Sequence, residues 1–318
     1  MSALTSSLRQ TFRSFGLLWL VYGITLALGL VAAIPFFNTL KAEGHNSLAF
    51  LNLLNGFDYT VYSDFMHQSE KAVDPLFSVG RWLGVLYLFL SLFFAGGILV
   101  QFAQPQGATN IGIFLQACSH YVGRFARLFG VTLLFLLAGA GIWLVAGLLV
   151  GVLLSDTFTE RGLFWIGVIF FALFVLTATL LLCIGDYAKV LMFREDEQHA
   201  FRAFGQAGGL VLRNLSKTYG LYWLLLLIGA GLLGIYLLLD AAILMNGWLT
   251  ILLMFIVQQA LVFARVTIKV WSLGTAYAVY ATLPKSLPVV RSAAPFEPAY
   301  TTALPDQEGN AEAPLANE

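Results

Sequence analysis

The sequence predicts an all-α fold, a polytopic membrane helix bundle of six transmembrane helices arranged as three hairpins, with two amphipathic helices on the cytoplasmic face. Composition is the first observation: 59% of residues are apolar and 11% charged, with a mean hydropathy of +0.83, whereas soluble domains carry roughly 25% charged residues. The second is a set of six windows free of charge, 14–40, 82–123, 128–155, 162–185, 218–239 and 241–264. About 20 apolar residues at 1.5 Å each cross the hydrocarbon core, so each window holds a span. The third is a repeated phrase. Segments 9–16 (RQTFRSFG), 124–130 (RFARLFG) and 213–220 (RNLSKTYG) each place two cations three or four residues apart, then an aromatic-Gly pair, and each opens onto an apolar run.

The first span is expected over 17–37. It is too long for a usual secretory signal and no small-x-small cleavage site closes it, so it reads as a retained span. An exported loop over 38–80 follows. Within it Asp58, and then Asp74-Pro75, combine capping and first-turn chemistry, so both are expected helix starts. Leu51, Leu53, Leu54 and Phe57 supply apolar contacts to the bundle. The second window is 42 residues long and breaks at Gln104-Pro105-Gln106-Gly107. One span is therefore expected before the break, over 83–102, and an amphipathic helix after it over 110–128. Ile111, Phe114, Cys118, Tyr121, Phe125 and Leu128 line one face of that helix at spacings of three and four.

Span three is expected over 129–154 and span four over 163–184. A second amphipathic helix follows, with Arg194-Glu195-Asp196-Glu197 as its acidic first turn and Phe201, Phe204, Gly208, Val211 and Leu215 as its stripe. Acid at its start and Arg213 and Lys217 at its end suit the helix dipole. Both amphipathic helices can lie at the membrane interface with their stripes in the acyl boundary, or pack against the floor of the bundle. Span five is expected over 219–239. Span six is expected over 248–270 and extends to 283, because 247–283 contains only Arg265 and Lys269 as charges; 37 helical residues reach about 55 Å, beyond membrane thickness. Residues 1–283 thus form the membrane domain. From 284 to 318, prolines and acidic residues without apolar periodicity predict a disordered cytoplasmic tail. The order amphipathic helix, basic phrase, span, recurring in one sense, reads as parallel duplication of hairpins rather than inverted repeats.

A formal net charge of zero conceals an asymmetry. Arg9, Arg13, Arg124, Arg127, Lys189, Arg194, Arg202, Arg213, Lys217, Arg265, Lys269, Lys285 and Arg291 fall on one side, and Lys41, Lys71, Arg81 and Arg161 on the other. The positive-inside rule places the richer side and both termini in the cytoplasm. Arg9, Arg13, Arg124, Arg127, Arg213 and Lys217, in the three phrases, are expected to contact lipid phosphates of the bilayer.

Ionisable groups near the hydrocarbon are costly and mark candidate sites. Asp186 and Lys189 at the end of span four, and Arg265 and Lys269 in span six, are such groups, and Asp186 is expected either to pair with Arg265 or to reach the interface separately. Gln258 and Gln259 need amide partners inside span six, as interhelical glue or as the wall of a polar path. Gly96-Gly97, Gly139-Ala140-Gly141 and Gly229-Ala230-Gly231 with Gly234 allow close helix approach. Cys118 and Cys183 form no CxxC pair and are expected to pack. His45, His67, His120 and His199 are scattered, without metal-ligand spacing. Asp58, Asp64 and His67 are better explained as caps and solvated groups. No nucleophile elbow, phosphate loop or dinucleotide fingerprint is present, so neither catalytic residues nor cofactor are assigned, and nothing points to nucleic acid.

The six spans, the exit Gly185-Asp186-Tyr187-Ala188-Lys189 followed by an amphipathic helix, and a long last span with Arg265 and then Tyr277 and Tyr280 resemble a group of uncharacterised bacterial six-helix inner-membrane proteins. That group is similar to the membrane domain attached to some glycerophosphoryl diester phosphodiesterases and to YciC-like proteins. The resemblance covers 9–283. It implies no hydrolase activity, because the phosphodiesterase barrel is a separate soluble domain, a fold of roughly 200 residues or more.

The leading expectation is a non-enzymatic envelope or scaffold protein that recruits a membrane-protein or cytoplasmic partner. A transporter or permease subunit is the alternative, and a lipid-handling membrane enzyme the third reading. Polar groups lining one face of spans two, four and six would favour transport, a dry bundle of Leu, Phe and Gly the scaffold. An exported carboxylate-histidine cluster would favour the enzyme.

Overall fold

The computed structural model describes residues 2–43, 58–68, 70–104, 111–155, 157–243 and 247–283. Among these residues the regular structure is entirely α-helical: α1 (Ser2–Arg13), α2 (Phe15–Glu43), α3 (Tyr59–Gln68), α4 (Glu70–Ala103), α5 (Ile111–Leu153), α6 (Glu160–Arg194), α7 (Ala200–Arg213), α8 (Leu215–Ala242) and α9 (Trp248–Thr282). In hydrocarbon each backbone N–H and C=O must find a partner within the protein, which uncharged runs of Leu, Phe and Ala achieve as helices. Six helices, α2, α4, α5, α6, α8 and α9, are long and apolar enough to cross a membrane. The chain is a helical multi-pass membrane protein.

Consecutive spans pack as the hairpins α2/α4, α5/α6 and α8/α9, and α9 occupies the centre, touching α1, α2, α4, α6 and α8. The core is confined to one end of the bundle, the end that carries the basic phrases, hereafter the basic end. Leu17, Leu99, Phe125, Cys183, Met192, Val211 and Val270 are among its most buried members. Toward the opposite end the spans present large apolar side chains outward, including Leu148, Phe164, Leu238 and Trp248, as a lipid-facing surface requires. Gly97 makes the core possible: a Cβ there would collide with the Phe114 ring and lie 2.7 Å from Cys118 Sγ. Gly274 of α9 gives the Phe102 ring the same access. Gly141, Gly231 and Gly234, by contrast, face open space.

Several local expectations are corrected. Asp58 does start a helix, its Oδ1 accepting from Thr60 N at 2.8 Å, but Asp74-Pro75 does not. Pro75 lies inside α4, which begins at Glu70. Leu51, Leu53, Leu54, Phe57 and the tail 284–318 lie outside the described residues. The amphipathic stretch after 110 and span three are one continuous helix of 43 residues, and its stripe Phe114, Cys118, Tyr121, Phe125 and Leu128 is buried against protein. Ile111 alone of that stripe is exposed. The acidic residues Glu195, Asp196 and Glu197 precede α7, whose N-cap is His199 and whose first turn carries no acid. Asp196 takes a positive φ of 50°, a conformation Asp tolerates better than most residues. The buried face of α7 is Ala200, Ala203, Phe204, Ala207 and Val211, with Phe201 and Leu215 outside it.

A third amphipathic helix, α1, was not anticipated. Its Leu4, Ser7 and Thr11 are buried against the end of α9, where Ser7 Oγ and Thr275 Oγ1 lie 2.9 Å apart and Trp271 Nε1 donates to Leu4 O at 3.2 Å. Each hairpin is therefore preceded by its own amphipathic segment: α1, the first half of α5, and α7.

A charged cavity between four spans

Span four turns its last helical turns inward. Cys183, Ile184, Tyr187, Ala188, Val190 and Leu191 are buried, and this leaves Asp186 and Lys189, three residues apart, together on the remaining face. Lys189 Nζ donates to Asp186 Oδ1 at 2.7 Å. Of the two expectations for Asp186, the pair with Arg265 does not form; Asp186 is paired within its own helix instead. The two paired groups share a helix face and need no interhelical register, whereas Arg265 reaches the same space from another helix.

That space is a cavity of about 330 Å³ between α4, α6, α8 and α9. Asp186 and Lys189 enter it from α6, Arg265 and Lys269 from α9, Ser91 from α4 and Tyr222 from α8. Spacing of four on α9 puts Arg265 and Lys269 one turn apart on one face. Lys269 Nζ donates to Ser91 Oγ and lies 5.4 Å from the Tyr87 ring centroid. Arg265 makes no ion pair among the described residues. Ala95, Ile98, Leu225 and Leu273 complete the wall. Three cations and one carboxylate therefore share one partly apolar compartment. Neither Arg265 nor Lys269 has a carboxylate within ion-pair distance among the described residues, and ionisable groups near the hydrocarbon are costly.

All four ionisable residues singled out in the sequence thus meet in one place. Gln259 serves as interhelical glue, accepting from Tyr22 Oη at 3.0 Å, and Gln258 is exposed. Neither lines the cavity. Ser91 and Tyr222 were not anticipated; a single serine within the apolar run of span two was the available signal for Ser91.

A second cluster gathers at the tip of the basic end. Arg124 pairs with Asp196 and lies 5.7 Å from the Tyr121 ring centroid, so this arginine is held by the protein rather than free for lipid phosphate. Arg194 sits 4.7 Å from the Tyr277 ring centroid, and Tyr280 Oη donates to Glu195 Oε1 at 2.6 Å. The acidic link after α6 thereby ties α5 and α9 together. Arg9, Arg13, Arg127, Arg213 and Lys217 remain exposed. Cys118 and Cys183 are fully buried.

No protein-family model, curated protein or solved structure matches this chain.

Proposed function

We propose that the protein binds an anionic ligand within the membrane, in the cavity between α4, α6, α8 and α9, and acts as a transporter or permease-type subunit for it. The observation that carries this reading is that Ser91, Asp186, Lys189, Arg265 and Lys269 line one compartment. These are polar groups on one face of spans two, four and six, the arrangement transport requires and a dry bundle lacks. The sequence resemblance supports placing the protein in a bacterial inner membrane and the charge asymmetry supports placing its basic end in the cytoplasm, where the exposed Arg9, Arg13, Arg127, Arg213 and Lys217 then face lipid phosphates. The scaffold reading rests on the cytoplasmic helices together with the tail 284–318, the latter outside the described residues, and the enzyme reading on an exported site whose Asp58 is occupied as a helix cap.

Purified protein reconstituted in lipid nanodiscs tests the reading through native mass spectrometry of retained anions, with anion uptake into proteoliposomes as the second readout. Retention and uptake lost together in an Arg265→Gln/Lys269→Gln double variant are expected. Equal retention in wild type and double variant would return the bundle to a structural role.

A further inference from the structure

The geometry points to a specific ligand class, and this deepens the anion-site reading on which it rests: we infer that the cavity takes the phosphate monoester headgroup of an amphiphile, admitted from the flank of the bundle. Charge is the first argument. Asp186 and Lys189 neutralise each other at 2.7 Å, which leaves Arg265 and Lys269 as an uncompensated pair of positive charges on one face of α9. A phosphate monoester carries about −1.5 to −2 at neutral pH and matches that excess. A phosphodiester or a carboxylate carries a single charge and leaves one cation unanswered.

Donor chemistry is the second argument. The guanidinium of Arg265 offers a planar fork suited to two phosphate oxygens, and the ammonium of Lys269 a compact point charge. Ser91, Ser272 and Tyr222 place hydroxyls in the same wall, enough to engage the remaining oxygens.

Access and shape are the third. The cavity includes Leu226, an exposed residue of α8, and Tyr87, over which Lys269 sits, is exposed on α4. Helices α4 and α8 both line the cavity yet form no substantial packing interface with each other. The seam between them opens on the apolar flank that faces lipid. About 330 Å³ is at the small end of ligand sites and accommodates a headgroup with its first carbons, so the hydrocarbon chains stay in the bilayer outside the seam.

The test uses the full chain in phosphatidylcholine nanodiscs doped with phosphatidic acid, a monoester, or phosphatidylglycerol, a diester, with inorganic phosphate as soluble competitor and native mass spectrometry as readout. Phosphatidic acid is expected to be retained about tenfold over phosphatidylglycerol, as one additional charge-assisted contact provides. Arg265→Gln and Lys269→Gln are each expected to lower its retention about tenfold. Asp186→Asn, which releases Lys189 toward the ligand, is expected to raise it, a gain that a misfolded protein does not produce; size-exclusion profiles check the two loss variants.

Equal retention of the two lipids overturns the monoester assignment. Inorganic phosphate displacing the lipid at equal concentration overturns the amphiphile and leaves the anion site standing. Retention of every anion tested without dependence on Arg265 or Lys269 overturns both.

Discussion

Gly97 and Tyr280 hold the basic end together by opposite means, one by having no side chain and the other by the far end of a long one. Gly97→Leu is expected to destabilise by about 1–3 kcal/mol through overpacking against Phe114 and Cys118, read as a lowered thermal unfolding midpoint in detergent; Gly141→Leu, into open space, should leave it unchanged. Tyr280→Phe removes the bond to Glu195 while keeping the ring under Arg194, at a cost of about 1 kcal/mol. Glu195→Ala should cost a similar amount, and the double variant no more than either alone if the two share one interaction. At this scale the sequence was informative about which residues matter and silent about whom they meet. Expense in hydrocarbon singles out Asp186, Lys189, Arg265 and Lys269 without any knowledge of packing. The partner of Asp186 depends on how far α6 and α9 are rotated about their axes, a quantity that three residues of spacing within α6 decide locally and no spacing between helices reveals.

Among the elements, the three basic phrases behave differently for a local reason. The first is interrupted at Ser14, whose N–H bonds back to Gln10 O and Thr11 O, and the third at Asn214, whose Nδ2 donates to Leu210 O at 3.2 Å. Asn214 thus competes with the helix for a backbone partner through its side chain, and Ser is of the same disposition. The middle phrase, RFARLFG, contains neither, and α5 runs through it unbroken. Ala126 is exposed in that phrase, so Ala126→Pro is expected to cost about 3 kcal/mol or more through the backbone alone, against about 1 kcal/mol for Ala126→Gly, measured by denaturant titration in detergent. The periodicity of 110–128 was legible as an amphipathic helix, yet a stripe of Phe, Cys and Tyr reads the same whether it meets acyl chains or protein. α1 was missed because Ser7 and Thr11 occupy its buried face, where a hydrophobic pattern looks for Leu.

As a whole the molecule is three units of amphipathic segment and hairpin gathered around α9. The number of candidate spans was readable because the chain carries six charge-free windows, with a basic phrase before every second one; the central position of the sixth span was not, since nothing in a window's composition ranks it against its neighbours. Orientation is testable with single cysteines introduced after replacing Cys118 and Cys183 by Ala. Lys217→Cys, at the basic end, is expected to resist an impermeant maleimide in spheroplasts and to react once the membrane is opened, whereas Glu160→Cys, one span away, reacts from outside. The reverse pattern would invert the proposed orientation, and labelling of both from one side would remove α6 from the set of spans.

The central place of α9 also governs how the protein is made. Contacts such as Ser7 with Thr275 join residues 268 apart in the chain, so the core has no centre until the last span is synthesised. Domains generally acquire structure from the N-terminus as they emerge; here the α4/α5 and α5/α6 interfaces can form early, but the contacts that α1, α2, α4, α6 and α8 make with α9 must wait for it. A ribosome stalled before residue 248 would leave α4, α5 and α6 packed together but Ser7 of α1 without its partner Thr275. Quality control in the membrane therefore meets this protein at its most vulnerable just before α9 is inserted.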